Sequence, residues 1–308
     1  MQFDLGDILT RAWKITWHNK KLWGYAIIPF LLWVLYFPLF LIFFPMSLYP
    51  DPSLPGPLRE LMQWPGIEGL FLAGSLALIV LALILYIFSS SALTLGVVRA
   101  EQGEELPGFF ALFRASLRYV GAILGASLLI GLLVTIVFVA FTACSAVVSM
   151  ITFGIGSIFT QLLLYPIMFV VWVGTEQTQS GIVADDLGAT DSISRAWDLI
   201  TSNIWKYLIV GVVIYVVRSM VAGFMLIPLM APMWFIVMGG AMMESTPDPN
   251  MLMLSGLCML AFMPVYVIFM GFATTYTRSA FVVLYRRLTR DSQARQEFLK
   301  AIESQESK

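Results

Sequence analysis

Six long apolar runs constrain the fold of this chain more than any other feature of its sequence. They cover residues 22–45, 68–98, 119–149, 154–175, 206–229 and 251–277. A helix of about 20 apolar residues crosses a hydrocarbon layer of about 30 Å, and every run reaches that length. Hydrophobic residues make up 59% of the chain and charged residues 12%, against about 45–50% and about 25% in soluble domains. The sequence therefore predicts an all-α, polytopic integral membrane protein with six transmembrane helices. The apolar tract 230–243 either extends the fifth helix or lies at the far surface.

The basic residues indicate how these spans are oriented. Of the 18 Lys and Arg residues, Arg59 falls between the first and second runs and Arg218 falls inside the fifth. All the others lie at the opposite ends of the runs, on one side of the membrane. Because Lys and Arg are enriched in cytoplasmic segments, both termini are predicted in the cytoplasm, and an even number of spans agrees with that. We expect a multi-pass protein of the bacterial cytoplasmic (inner) membrane, with no sign of nucleic-acid binding.

A short polar phrase occurs twice in this apolar chain. Residues 8–23 read ILTRAWKITWHNKKLW, and residues 192–208 read SISRAWDLITSNIWKYL. Each copy contains Arg-Ala-Trp, with an Asp four residues before the Arg and an Asn eight residues after it. The equivalent residues are Asp7, Arg11 and Trp13 in the first copy and Asp191, Arg195 and Trp197 in the second. This match favours an internal duplication.

Helical spacing makes both copies amphipathic. In the first copy, Leu5, Ile8, Ala12 and Ile15 lie across from a stripe formed by Asp4, Asp7, Arg11, Lys14 and His18. In the second copy, Ile193, Trp197, Ile200 and Ile204 lie opposite Asp191, Arg195, Asp198 and Ser202. Asp191 is expected to cap its helix or to pair with Arg195 one turn later. Helices with one apolar face, Trp and basic residues lie in the membrane interface, so the phrase is interpreted as an interfacial anchor.

A weaker segment of the same kind covers residues 104–119, EELPGFFALFRASLRY. Pro107 is expected in its first helical turn, and Arg114 and Arg118 face away from its Phe residues. Each of the three segments precedes an odd-numbered run on the predicted cytoplasmic side. The chain is therefore interpreted as one membrane domain, 1–308, in which each unit is an interfacial helix followed by two spans. The pseudo-repeat units are 1–100, 101–185 and 186–290, followed by a cytoplasmic tail, 291–308.

Three stretches resemble a broad group of poorly characterised bacterial six-helix membrane proteins. They read DSISRAWDLITSNIWKYL, LTLGVVRAEQGEELPGFFALF and RSAFVVLYRRL. These proteins are similar to the membrane domain fused to some glycerophosphodiester phosphodiesterases. The phosphodiesterase domain itself has no counterpart among these runs and segments. The resemblance implies a fold and a membrane location, and it implies no reaction.

Arg218 is the candidate for a polar site inside the membrane. If the fifth helix starts near Lys206, Arg218 lies about 18 Å along it, where a charge costs roughly 2.5–3.5 kcal/mol and requires a polar partner or water. Gln161 and Tyr165, in the fourth run, are the candidate partners at a similar depth. The alternative is that the span starts near Met220 and that Arg218 extends to the inner headgroups.

The remaining polar residues predict no catalytic site, metal site or cofactor. The acidic residues Glu101, Glu104, Glu105, Glu176, Asp185 and Asp186 are interpreted as solvated or helix-capping. His18 is the one histidine of the chain, and no phosphate-binding, dinucleotide-binding or metalloprotease motif is present. We therefore expect a protein that is not an enzyme.

Two function classes remain open. In the first, a non-enzymatic membrane protein organises lipid, a membrane protein partner or a second copy of itself through its cytoplasmic interfacial helices. In the second, a carrier or permease subunit moves a small or amphiphilic solute through a polar cavity near Arg218 and Gln161. The first class is favoured because transporters have more polar groups within their spans than this chain does.

Overall fold

The described part of the chain is entirely helical. A computed structural model describes residues 4–32, 34, 66–152, 155–243 and 249–306, and no strand occurs among them. The helices are α1 (Leu5–His18), α2 (Lys21–Leu32), α3 (Ile67–Gln102), α4 (Phe109–Ile151), α5 (Ile155–Ala184), α6 (Ala189–Ser202), α7 (Ile204–Met243) and α8 (Pro249–Glu306). The predicted all-α class is confirmed for these residues.

Four helices are long and apolar enough to cross a membrane. They are Leu72–Gln102, Phe109–Ile151, Ile204–Pro228 and Leu257–Ser292, and they match the second, third, fifth and sixth predicted spans. The predicted fourth run is helical from Ile155 onward, within α5. The short apolar helix Lys21–Leu32 is the described start of the first run, most of which lies outside the described residues. These lengths and compositions are those of a membrane protein.

The start of α4 differs from the sequence-based expectation. Gly108 is the N-cap, with extended backbone angles of φ −57° and ψ 155°, and helix begins at Phe109. Pro107 therefore precedes the helix, and its predicted place in the first helical turn is wrong. Residues 109–151 form one helix of 43 residues, about 64 Å long. No Gly or Pro interrupts residues 109–120, so segment 104–119 has no helix of its own.

The apolar tract after the fifth run is also helical. The backbone of α7 remains helical through Pro228 and Pro232 to Met243, so residues 230–243 extend the fifth helix. Likewise α8 contains 58 residues, and the tail predicted beyond the sixth span continues as helix to Glu306.

The chain divides into two compact units. The first contains Met1–Asn19, Ser91–Tyr215 and Tyr276–Lys308, and the second contains Lys20–Ser90 and Val216–Thr275. The predicted pseudo-repeat units follow sequence order instead, and they stay a prediction. In the first unit, α4, α5 and α6 pack against one another around buried residues that include Leu112, Ile123 and Ile182. In the second unit, Met259 and Met263 form a small core.

The two copies of the polar phrase form helices with the same ending. Both α1 and α6 contain 14 residues. Asn19 closes α1, and its side-chain amide donates to the carbonyl of Ile15 at 3.0 Å. Asn203 closes α6 in the same way and donates to the carbonyl of Leu199 at 3.3 Å. The Asn eight residues after each Arg therefore closes its helix with both its side-chain amide and its backbone N–H, which donates to the carbonyl of Ile15 in α1 and of Ile200 in α6.

Candidate functional site

Exposed aromatic side chains lie in α1, in α6 and at the starts of α4 and α7, all within the first unit. We call them the aromatic set: Trp13, Trp17, Phe109, Phe110, Trp197 and Trp205. The rings of Trp13 and Trp17 are stacked, with centroids 5.7 Å apart, and each side chain is 49% exposed. Trp197 is 59% exposed and Trp205 is 72% exposed. Large aromatic rings left in this position suit the level of lipid headgroups, where Trp is enriched.

The opposite faces of α1 and α6 hold these aromatic residues in place. α1 buries Ile8, Ala12, Ile15 and Thr16, and α6 buries Ser192, Ala196, Leu199 and Ile200. The hydroxyl of Thr16 donates to the carbonyl of Ala12 and lies 3.4 Å from the hydroxyl oxygen of Ser279. Each helix is thus fixed to the protein by one face and presents Trp from another.

The buried face of α6 is rotated from the face that the sequence pattern predicts. Ile200 belongs to both faces, but Trp197 is exposed, while the small residues Ser192 and Ala196 are buried. Ile204 lies beyond the end of α6, at the start of α7, and is also exposed. Small side chains let helices approach closely. A Cβ built at Gly125 of α4 would lie 3.3 Å from the Cβ of Ala189, which shows how close this approach is.

The predicted anchoring residues of the two copies have different surroundings. Asp7 pairs with Arg11 at 3.5 Å, and the N–H of Asp7 is capped by the side chain of Asp4. Asp191 lies in the first turn of α6, where the N-cap is Gly188 and makes no side-chain hydrogen bond. The predicted cap by Asp191 is therefore wrong, and no ion pair joins Asp191 to Arg195 within the described chain.

A buried polar core in the first unit joins α5, α7 and α8. Arg278 is 3% exposed, and its Nη1 lies 3.1 Å from Oε2 of Glu176 and 2.5 Å from Oε1 of Gln179. Tyr207 donates to Oε1 of Gln177 at 3.2 Å, and Nε2 of Gln177 donates to the carbonyl of Phe281 at 3.4 Å. These contacts pair buried polar groups that would otherwise be costly to remove from water.

Two acidic residues that were interpreted as solvated are buried and paired. Glu176 is 7% exposed and faces Arg278 across helices. The side chain of Glu101 is 5% exposed and contacts Arg286. The solvated interpretation of both is therefore wrong. Arg278 and Arg286 each lie more than 100 residues further along the chain than the acid they contact, so neither pairing leaves a local signal in the sequence. The consecutive polar residues TEQTQS, 175–180, within a continuing helix are the one feature that indicates the buried core.

A second polar group joins α1, α3 and α8 and includes two of the predicted anchoring residues, Asp7 and Arg11. We call it the arginine cluster: Asp7, Arg11, Glu101, Arg286 and Arg287. Arg287 contacts Asp7, and Arg286 contacts Glu101. Arg11 reaches both acids, at 3.5 Å from Asp7 and 4.0 Å from Glu101. This cluster fastens α1 to α3 and α8.

The predicted intramembrane residues fall in both compact units. Arg218 is partly buried in the second unit. It lies inside the apolar helix Ile204–Pro228. Gln161 and Tyr165 belong to the first unit, where Tyr165 is 68% exposed, and the side chain of Gln161 is outside the described residues. A joint site of these three residues stays a prediction.

Neither a metal centre nor a known relative identifies a reaction. Among the described residues, no group of three or more His, Cys, Asp or Glu side chains is arranged to hold a metal ion. No protein-family model, curated protein or solved structure matches the chain.

Proposed function

We propose that this chain is a non-enzymatic, multi-pass protein of the bacterial cytoplasmic membrane that organises anionic lipid around its interfacial helices. It has six spans, both termini lie in the cytoplasm, and α1, α6 and the start of α4 lie at the inner headgroups. The resemblance to the membrane domain of some glycerophosphodiester phosphodiesterases supports this location.

The aromatic set is the observation that carries the proposal. Its residues are exposed although α1 and α6 each bury a separate apolar face. In a water-soluble protein these indoles would be exposed to water. The lipid headgroup layer accommodates an apolar ring that carries a polar N–H.

Exposed cations accompany the aromatic residues and favour lipids of negative charge. Lys14 lies between Trp13 and Trp17 in sequence and is exposed. Arg114 is exposed one turn after Phe110. Each cation near an anionic surface contributes about 1 kcal/mol of attraction. The combination of indole and cation selects an anionic headgroup layer.

Lipid co-extraction tests this function. The protein is reconstituted in vesicles of phosphatidylcholine and phosphatidylglycerol, extracted with a styrene–maleic acid polymer, and its surrounding lipid is quantified. We expect phosphatidylglycerol to be enriched over the bulk composition. The double variant Trp13→Ser/Trp197→Ser should return this ratio to the bulk value, because it removes one indole from each interfacial helix.

Trp234→Ser is the matched control, because Trp234 is also 59% exposed but belongs to the second unit. It should leave the enrichment unchanged. Arg218→Ala should also leave it unchanged, whereas the carrier hypothesis predicts loss of solute flux from that variant with folding intact. An enrichment that survives the double Trp substitution would contradict the organising function.

A further inference from the structure

The arginine cluster contains more positive than negative charge. It has three guanidinium groups and two carboxylates, joined by four ion-pair contacts. Arg290 lies one turn beyond Arg286 on α8 and is exposed. The cluster therefore retains a positive charge after its internal pairs are formed.

Hydrogen-bond capacity in the cluster is also unbalanced. Three guanidinium groups have about fifteen N–H donors, whereas two carboxylates accept about eight hydrogen bonds. Arg286 and Arg287 each contact a carboxylate directly. Arg11 is the least committed member, since its contacts are 3.5 Å and 4.0 Å long and its side chain is 51% exposed. Charge-assisted hydrogen bonds are shorter, at about 2.7–2.9 Å, so Arg11 has donors available.

The acidic members hold the arginine side chains in one place. Glu101 is nearly buried, with 5% of its side chain exposed, and it lies between Arg286 and Arg11. The side chains of Arg11, Arg286 and Arg287 are 51%, 18% and 29% exposed, so all three reach the surface. Planar guanidinium groups held together in this way match the oxygen atoms of a phosphate better than lysine does.

We propose that the arginine cluster binds a phosphate group, with Arg11 as its main accessible ligand and Arg286 and Arg287 as supporting cations. The phosphate is either the phosphomonoester headgroup of a lipid such as phosphatidic acid or a free inorganic phosphate anion. The lipid source depends on the proposed function, because it requires the cluster to lie at the headgroups. The free source does not depend on it.

Titration calorimetry on the full chain in a neutral detergent tests the site. The probes are dihexanoyl phosphatidic acid, dihexanoyl phosphatidylcholine and inorganic phosphate. We expect phosphatidic acid to bind and the zwitterionic lipid not to bind. Arg11→Gln should weaken binding by about tenfold or more, because it removes a charge-assisted contact. Arg118→Gln, at an exposed arginine outside the cluster, should leave the affinity unchanged.

Removing an acid distinguishes a binding site from a purely structural ion-pair network. Glu101→Gln should strengthen phosphate binding, because it takes away a competing anion while retaining an acceptor. Should that variant fail to fold, Asp7→Asn, at a carboxylate that is 43% exposed, makes the same change in charge. A merely structural network would show lower stability and no gain in affinity.

The three probes assign the source. If phosphatidic acid binds and inorganic phosphate does not, the site is assigned to a lipid headgroup. If inorganic phosphate also binds and Arg11→Gln weakens both by the same factor, the site is assigned to a free phosphate. Absence of binding by both anions, or an equal loss in Arg118→Gln, would overturn the proposal. Because this experiment does not involve the aromatic set, its failure is distinguishable from a failure of the organising function.

Discussion

At the scale of single residues, the buried ion pair between Arg278 and Glu176 departs most from what the sequence predicts. Glu176 was interpreted as solvated or helix-capping, yet Glu176 and Arg278 are 7% and 3% exposed. Oε2 of Glu176 is 3.1 Å from the guanidinium but has no well-aligned hydrogen bond among the described residues. The pair is therefore held mainly by charge, in a region from which water is excluded.

Removing one member of this pair should destabilise the protein strongly. Arg278→Leu leaves Glu176 buried without its cation, and we expect a loss of about 3–5 kcal/mol. The double variant Arg278→Leu/Glu176→Leu should recover most of that loss, because a buried pair costs nearly as much in desolvation as it returns. Thermal unfolding in nanodiscs measures both, with the exposed Arg114→Leu as control. A single variant as stable as its control would contradict the buried pairing.

At the scale of helices, the spacing of neighbouring residues predicted the buried face of α1, whereas contacts between residues distant in sequence could not be predicted. The buried residues Ile8, Ala12 and Ile15 follow the spacing that the sequence shows. The face of α6 that packs was not predictable, since it depends on Ala189 meeting Gly125 across helices. Residues 109–120 contain no Gly or Pro, and α4 runs through them without a break. Pro107 precedes the N-cap residue Gly108 and therefore lies outside the helix.

Close contact between α5 and α7 gives a prediction at this scale. A Cβ at Gly211 would lie 2.7 Å from Cζ of Phe169 and 3.3 Å from Cγ2 of Val173. Gly211→Ala should therefore cost about 1–3 kcal/mol through overpacking.

Gly223 of the same helix is the matched control, because nothing lies within 4 Å of a Cβ built there. Gly223→Ala should be neutral or stabilising by up to about 1 kcal/mol, as expected for alanine in a helix. Thermal unfolding of the two variants in nanodiscs compares them directly. Equal stability of both variants would show that α5 and α7 do not approach as described.

At the scale of the whole molecule, the apolar runs and the charges predicted the membrane class but not the compact units. Helix length and hydrophobicity are properties of continuous sequence, so four of the predicted spans are found in the described chain. The arginine cluster combines residues from α1, α3 and α8. The predicted polar contact between Arg218 and Gln161 also joins residues far apart in sequence, and it stays a prediction.

The central claim is that the aromatic and basic surface of the first unit lies at the cytoplasmic face of the membrane. Cysteine labelling tests it most directly, after both native cysteines, Cys144 and Cys258, which are exposed and free, are replaced by serine. Lys14→Cys and Arg290→Cys introduce single thiols at exposed positions of the first unit. Arg59→Cys is the control on the predicted opposite side.

An impermeant maleimide is applied to intact cells and to inverted membrane vesicles. The account predicts that Lys14→Cys and Arg290→Cys react only in inverted vesicles and that Arg59→Cys reacts in intact cells. Labelling of position 14 or 290 from outside intact cells would contradict it.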